Sequence, residues 1–263
     1  MTDIFKPWLQ LWDLTPDGPE IETHAARLLP VQRQGRPAML KLATTDEERR
    51  GARVLRWFGP EVGAAVQALD GDAVLMARGE TDLVALALAN DAEATQVLCD
   101  LAARLHRLPL GSAPQLLPLR DWFGALTGAE GRARFPHAAA MANDLLDSTD
   151  APVPLHGDLH HGNLLRFGPD WRVIDPKGLS GDPCFDFVQM FYNPDAIDRG
   201  HGVAIRPGVF SARLKQISEA ASLNPTRLRK WIEAHAALSQ CWAAPGDDVT
   251  LAASIGALAR QTR

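Results

Sequence analysis

Over the first eighty positions, short apolar runs alternate with turn-forming residues. Residues 25–31 and 37–42 flank Gln34-Gly35-Arg36, a spacing that predicts a hairpin. A second pair of runs, 62–69 and 73–76, is joined by Asp70-Gly71-Asp72, the strongest short hairpin signal in the chain. Between the pairs Ala52, Leu55 and Phe58 recur at helical spacing, and Thr45 with Glu48 fits a capping box, so residues 45–58 read as a helix.

The pattern changes after Gly79. Residues 81–89 and 91–108 read as helices, the second with Val97, Leu98, Leu101, Leu105 and Leu108 on one face. A Pro-rich connection over 109–118 leads to a helix at 137–146, and Pro152-Val153-Pro154 closes this block. Two short strands follow, 164–167 and 171–174, turned by Gly168-Pro169-Asp170. The remainder is helical, with start signals at Asp182-Pro183, at Asn224-Pro225 and at Asp247 or Asp248. No internal repeat interrupts this order. The expected class is α+β, with a β-rich lobe over residues 1–79 and a larger helical lobe over 80–263.

Composition narrows the possible partners. The 263 residues are 46% hydrophobic and 22% charged, ordinary for a globular chain. A net charge of −5 lacks the basic footprint of a nucleic-acid binder. Cys99, Cys184 and Cys241 are odd in number and widely spaced, which suits reduced, packed thiols and offers no CxxC metal knuckle. The longest apolar runs, such as 83–89, fall far short of the ~20 residues that span a bilayer, and no basic-then-apolar leader opens the chain. A cytoplasmic protein with no nucleic-acid or membrane partner is expected. Oligomeric state is not legible.

The chemistry concentrates in Leu155-His156-Gly157-Asp158-Leu159-His160-His161-Gly162-Asn163-Leu164-Leu165, a polar loop between apolar segments, and in Asp175 at the end of the following hairpin. Asp158, Asn163 and Asp175 can converge there. Two carboxylates and an amide oxygen are hard ligands of the kind that hold Mg²⁺, with substrate phosphates completing the shell. The plainer reading is a polar loop capping a hairpin.

The stretch HGDLHHGN followed by IDPKGLSGDPCFD resembles the signature of the aminoglycoside phosphotransferase family, most closely its streptomycin 6-kinase and hydroxyurea phosphotransferase branch. The resemblance covers most of the chain and implies a bilobal, protein-kinase-like fold that uses ATP and Mg²⁺. It implies that Asp158 is the catalytic aspartate and that Asn163 and Asp175 hold the metal. His156 would support the backbone. Lys41 would be the nucleotide-phosphate lysine on the third strand, paired with Glu48 in preference to Glu47. Met76, Ala77 and Arg78 would form the hinge that meets adenine. The substrate implied is a small molecule, a cationic aminocyclitol such as streptomycin, and the activity an inactivating modification.

The chain departs from the protein-kinase pattern in two places. No GxGxxG precedes Lys41, and residues 22–27 carry no glycine; Pro176 and Lys177 stand where protein kinases have Phe-Gly. Competing readings stay open at this level: a kinase of a metabolic alcohol of choline, homoserine or sugar type; a nucleotide-binding pseudokinase; and a zinc hydrolase built on His156, His160 and His161. Lys41 could equally be an edge-strand lysine, and Glu48 a helix cap alone. Asp182, Asp195 and Asp198 lie in an acidic run just past Asp175 and are candidates for holding a cationic acceptor. For Asp182 helix capping comes first, and for Asp186 bracing of the loop. Lys177 could neutralise one of these carboxylates or meet phosphate.

Overall fold

In a computed structural model that describes residues 3–262, the chain begins with a helix, α1 (Lys6–Leu11), that the alternating pattern did not reveal. The strands β1 (Leu14–Pro16), β2 (Ile21–Glu22), β3 (Ala26–Arg33), β4 (Arg36–Ala43), β5 (Val66–Asp70) and β6 (Ala73–Ala77) then form one sheet. Its order is β1-β3-β4-β6-β5, with β2 paired to β3. Both expected hairpins are present, although β5 starts at Val66 because residues 62–64 bond to Val173 instead.

Alternation along β4 sorts its side chains between two faces. Ala38, Leu40 and Leu42 join Leu29, Val31 and Leu75 in a core covered by Trp8 and Leu9 of α1 and by Trp12 just past its end. Met39 and Lys41 point the other way, toward α2 (Asp46–Phe58). Lys41 therefore sits on the central strand, which is fourth in chain order rather than third. The edge-strand reading of Lys41 is overturned. Helix α2 starts where Thr45 accepts a hydrogen bond from the Glu48 N–H at 3.3 Å.

The larger part holds α3 (Val84–Ala89), α4 (Asp91–Leu105), α5 (Leu119–Trp122), α6 (Gly124–Thr127), α7 (Ala129–Arg134) and α8 (Pro136–Asp147). It continues with α9 (Val209–Ala220), α10 (Pro225–Trp242) and α11 (Thr250–Gln261). One extended core unites these helices, with Phe123, Phe185 and Trp231 meeting edge to face. Val54, Phe58 and Val62 belong to the same core, so α2 packs on both parts of the molecule. Helices α5 to α7 are too short for periodicity to register, and the segment opened by Asp182 is a 3-10 helix, Pro183–Phe191, nearly all of it buried.

Two small sheets carry the polar loop. Strand β8 (Val153–Leu155) pairs with β11 (Leu179–Gly181), which also runs parallel to β7 (Leu117–Pro118). The hairpin of β9 (Leu164–Phe167) and β10 (Asp170–Val173) is stitched to the first lobe through Val173 N–H to Val62 O at 3.0 Å and Ala64 N–H to Val173 O at 2.9 Å. Cys99 and Cys184 are buried free thiols, and burial pushes the Cys99 thiol up to about 12. No helix among the described residues is long and apolar enough to cross a membrane.

Candidate active site

The polar loop leaves β8 at His156 and is fixed from beneath by one carboxylate. Asp186, in the 3-10 helix, accepts from the His156 N–H at 3.0 Å and the Gly157 N–H at 2.8 Å, and meets His106 Nε2 at 2.9 Å. Gly157 adopts φ +84° and lies so close to Leu179 that a Cβ would sit 2.8 Å from it, which only glycine accommodates. The His156 ring donates through Nε2 to the Ile174 carbonyl at 2.9 Å and accepts the Asp158 N–H on Nδ1 at 3.2 Å. It is therefore neutral, and its burial holds its pKa below the usual histidine value. The ring thus ties the loop to the segment that delivers Asp175 through Nε2 and braces the loop's own backbone through Nδ1.

Asn163 closes the loop. Its side-chain amide donates to the Asp158 carbonyl at 2.9 Å and to Asp158 Oδ2 at 3.3 Å, while its own carbonyl accepts from the Ile174 N–H at 2.9 Å. One step further, Asp175 takes the left-handed conformation, φ +56°, and its Oδ1 accepts from Lys41 Nζ at 2.7 Å. Lys41 also pairs with Glu48. Burial works against this ammonium, but the charges of Asp175 and Glu48 outweigh it and hold Lys41 above the ordinary lysine range. Glu48 thus does two things: its N–H meets Thr45 and its carboxylate meets Lys41. Glu47 turns instead to Lys177, at 2.7 Å.

A continuous chain of contacts consequently runs from Glu48 through Lys41, Asp175, Ile174 and Asn163 to Asp158. At its open end the Asp158 and Asp175 side chains are 25% and 35% exposed, against 8% for Lys41. The Asn163 amide nitrogen is engaged by Asp158, and Asp175 Oδ1 by Lys41. Asn163 Oδ1 and Asp175 Oδ2 are left without a protein hydrogen bond among the described residues. One carboxylate oxygen and one amide oxygen fit Mg²⁺, which is held by few protein ligands and keeps places for water and phosphate.

The three loop histidines do not form a metal centre. Both nitrogens of His156 are engaged by the backbone, His160 Nδ1 accepts from the Gly162 N–H at 3.0 Å, and His161 is fully buried with neither nitrogen partnered among the described residues. Among the described residues no three His, Cys, Asp or Glu side chains come together as a metal cage.

Below the expected hinge, Met76 joins Leu55 and Ala64 in an apolar patch completed by Met39, Val66, Phe167 and Ile174. The Ala77 N–H donates to the Ala65 carbonyl at 2.9 Å, and the Arg78 side chain is held by Asp17 at 2.5 Å. The Arg78 N–H has no hydrogen-bond partner among the described residues.

The acidic run after Asp175 needs correction. Asp182 caps the 3-10 helix through the Cys184 N–H at 2.9 Å and takes Arg227 Nε at 2.5 Å and Trp231 Nε1 at 2.9 Å. Asp195 is buried and accepts from the Val203 and Ala204 N–H groups at 2.8 and 3.1 Å. Both oxygens of each carboxylate are engaged by protein donors, and both side chains are buried away from the cleft's solvent. Asp198 is exposed and caps Gly200 at 2.8 Å. A cavity of about 560 Å³ nearby is lined by Gln189, His235, Trp242, Asp247 and Asp248, with Arg199 paired to Asp248 at 3.2 Å. The charge of Asp158 acts on His235 across this region. In the sequence Asp247 and Asp248 showed only as helix-start signals, and nothing pointed to His235, because this wall is assembled from three separate elements.

Three buried histidines and the half-buried His160 give a testable pH dependence. Burial lowers the pKa of His156, His160 and His161, and pushes His235 down to about 4. These rings are neutral when folded, but in the unfolded chain they protonate below about 6.5. Unfolding therefore takes up protons, and stability is lost as pH falls from about 6.5 toward 4, each such ring contributing up to ~1.4 kcal/mol per pH unit. Urea midpoints measured between pH 8 and 4.5 should fall steeply below 6.5, and His235→Gln should shallow the slope. A flat profile would show that these rings accept protons in place.

Residues 11–246 match the family described as aminoglycoside/hydroxyurea antibiotic resistance kinase. A streptomycin 3''-kinase of Klebsiella pneumoniae is 42% identical over 240 residues, covering 89% of this chain and 90% of its own. A hydroxyurea phosphotransferase of Kitasatospora aureofaciens is 30% identical over 269 residues, covering 93% and 73%. Among solved structures, an aminoglycoside phosphotransferase in ternary complex with ADP and hygromycin B superposes with a TM-score of 0.68 at 16% identity, over 98% of both chains. The β-sheet lobe, the helical lobe and the loop between them are those of the kinase-like fold, and the chain belongs to the aminoglycoside/hydroxyurea antibiotic resistance kinases, phosphotransferases that act on a hydroxyl group.

Proposed function

We propose that this phosphotransferase moves the γ-phosphoryl group of ATP to a hydroxyl of streptomycin, its 3''-hydroxyl, with the nucleotide between residues 1–79 and 80–263. The observation that carries this reading is the unbroken linkage of Lys41, Asp175, Asn163 and Asp158 at one open cleft. Adenine lies on the Met76 patch and meets the main chain at Ala77 and Arg78. Lys41, aimed by Glu48, holds the nucleotide phosphates. Asn163 and Asp175 would hold a Mg²⁺, which would supply positive charge to offset that of the phosphates.

Asp158 orients the acceptor hydroxyl and takes its proton. The hydroxyl oxygen bonds to the γ-phosphorus as the bond from that phosphorus to the β,γ-bridging oxygen breaks, and ADP leaves with the electron pair. The cationic acceptor occupies the cavity beside His235, with Asp247 and Asp248 facing its guanidinium groups.

The 42% identity to a streptomycin 3''-kinase supports the choice of acceptor and of hydroxyl. The test is a coupled ADP-release screen over streptomycin, other aminoglycosides, choline, homoserine and sugars, with product mass and phosphorus NMR. A streptomycin product carrying one added phosphoryl on the 3'' oxygen is expected. Activity confined to a metabolic alcohol, or nucleotide binding with no transfer to any acceptor, would overturn the reading.

A further inference from the structure

Lys177 has no part in the mechanism above, yet its backbone and side chain both touch the catalytic loop. Its N–H donates to the His156 carbonyl at 2.7 Å, and a Cβ placed on Gly157 would come within 3.0 Å of its own Cβ. Its Nζ pairs with Glu47 at 2.7 Å, and the side chain is 21% exposed. Its charge acts on Asp158 itself and on His160.

The segment that carries Lys177 is already held by backbone contacts along one face of α2. Arg50 Nε donates to the Lys177 carbonyl at 2.9 Å. Gly51 lets the helix approach so closely that a Cβ there would lie 2.4 Å from the Pro176 carbonyl, and Val54 lies against Gly178. A partly exposed ion pair such as Lys177–Glu47 adds little to that anchoring. The ammonium is thus not what anchors this segment.

Charge balance shows where it is needed. Lys41 is buried between two carboxylates, Glu48 and Asp175, which already occupy its charge. A phosphoryl group travelling toward a hydroxyl at Asp158 approaches a carboxylate, and like charges brought together in a site with little water repel strongly. His160 Nε2 lies 3.7 Å from Asp158 Oδ1, but burial keeps that ring neutral.

We propose that Lys177 is a second catalytic cation, which exchanges Glu47 for the oxygens of the γ-phosphoryl group as it passes to the acceptor beside Asp158. The inference rests on the roles given above to Asp158 and Lys41. A strut that merely ties α2 to residues 176–178 would depend equally on both partners of the ion pair. A catalytic cation depends on Lys177 far more than on Glu47.

The experiment compares wild type with Lys177→Met, Lys177→Arg and Glu47→Gln in three measurements: acceptor-free ATP hydrolysis, transfer to streptomycin, and ATP affinity, with thermal unfolding as the check on folding. Lys177→Met should lower both turnover rates about 10²-fold with ATP affinity changed less than about threefold, Lys177→Arg should recover about tenfold, and Glu47→Gln should stay within about threefold of wild type. Equal losses in Lys177→Met and Glu47→Gln, or wild-type hydrolysis in Lys177→Met, would overturn the proposal. If the wild type hydrolyses ATP but leaves streptomycin unmodified, the acceptor assignment fails while Lys177 is still judged on hydrolysis. If it does neither, both fall together.

Discussion

Asp158→Ala should lower kcat about 10³-fold while leaving folding stability within about 1 kcal/mol and nucleotide affinity within about threefold of wild type. The side chain can be removed because its structural contacts are made by the main chain. The Asp158 N–H still donates to His156 Nδ1, and the Asp158 carbonyl still accepts from the Asn163 amide at 2.9 Å. What disappears is the carboxylate that accepts the hydroxyl proton and fixes the direction of attack, and general-base assistance of this kind contributes about 10²- to 10⁴-fold. Asp158→Asn keeps the volume and removes the charge, so it should fall nearly as far. Steady-state kinetics with a parallel ATP titration decides the matter, and turnover near wild type in either variant would remove Asp158 from its role.

The parts of this site legible in the sequence were those whose partners lie within one motif. The spacing from Asp158 to Asn163 and on to Asp175 follows from a short loop and one hairpin, so the residues that converge could be named before any coordinates. Lys41 was recognisable as a lone charge in an apolar strand, but its place at the centre of the sheet was not, because strand order depends on pairing between distant segments. The acidic run at 182–198 misled for a physical reason: sequence shows how many carboxylates are present but not how many N–H groups surround each one. Asp182 and Asp195 are consumed by Trp231, Arg227 and backbone donors. The helix α1 and the short helices α5 to α7 escaped because four to six residues do not complete a recognisable period. The cavity wall at His235 escaped because it joins elements more than forty residues apart.

Asp186 shows how strongly the loop depends on a residue that touches no reactant. It is fully buried and serves three donors, His156 N–H, Gly157 N–H and His106 Nε2, the last eighty positions earlier in the chain. Asp186→Ala strands two backbone N–H groups in a dry interior, and each unsatisfied buried donor costs about 1–3 kcal/mol. With the lost carboxylate–histidine contact, the unfolding free energy should fall by about 3–5 kcal/mol, visible in urea denaturation. Asp186→Asn retains one acceptor oxygen but turns an NH₂ toward either His156 or Gly157, so it should recover part of the loss and not all of it. Activity should fall in both variants in step with stability, because Gly157 immediately precedes Asp158 and any rotation there moves the catalytic carboxylate. That coupling separates the two aspartates: at Asp158 turnover is lost without stability, whereas at Asp186 the two are lost together. An Asp186→Ala protein that unfolds within about 1 kcal/mol of wild type would mean that water or a rearranged side chain can hold the loop as well as the carboxylate does.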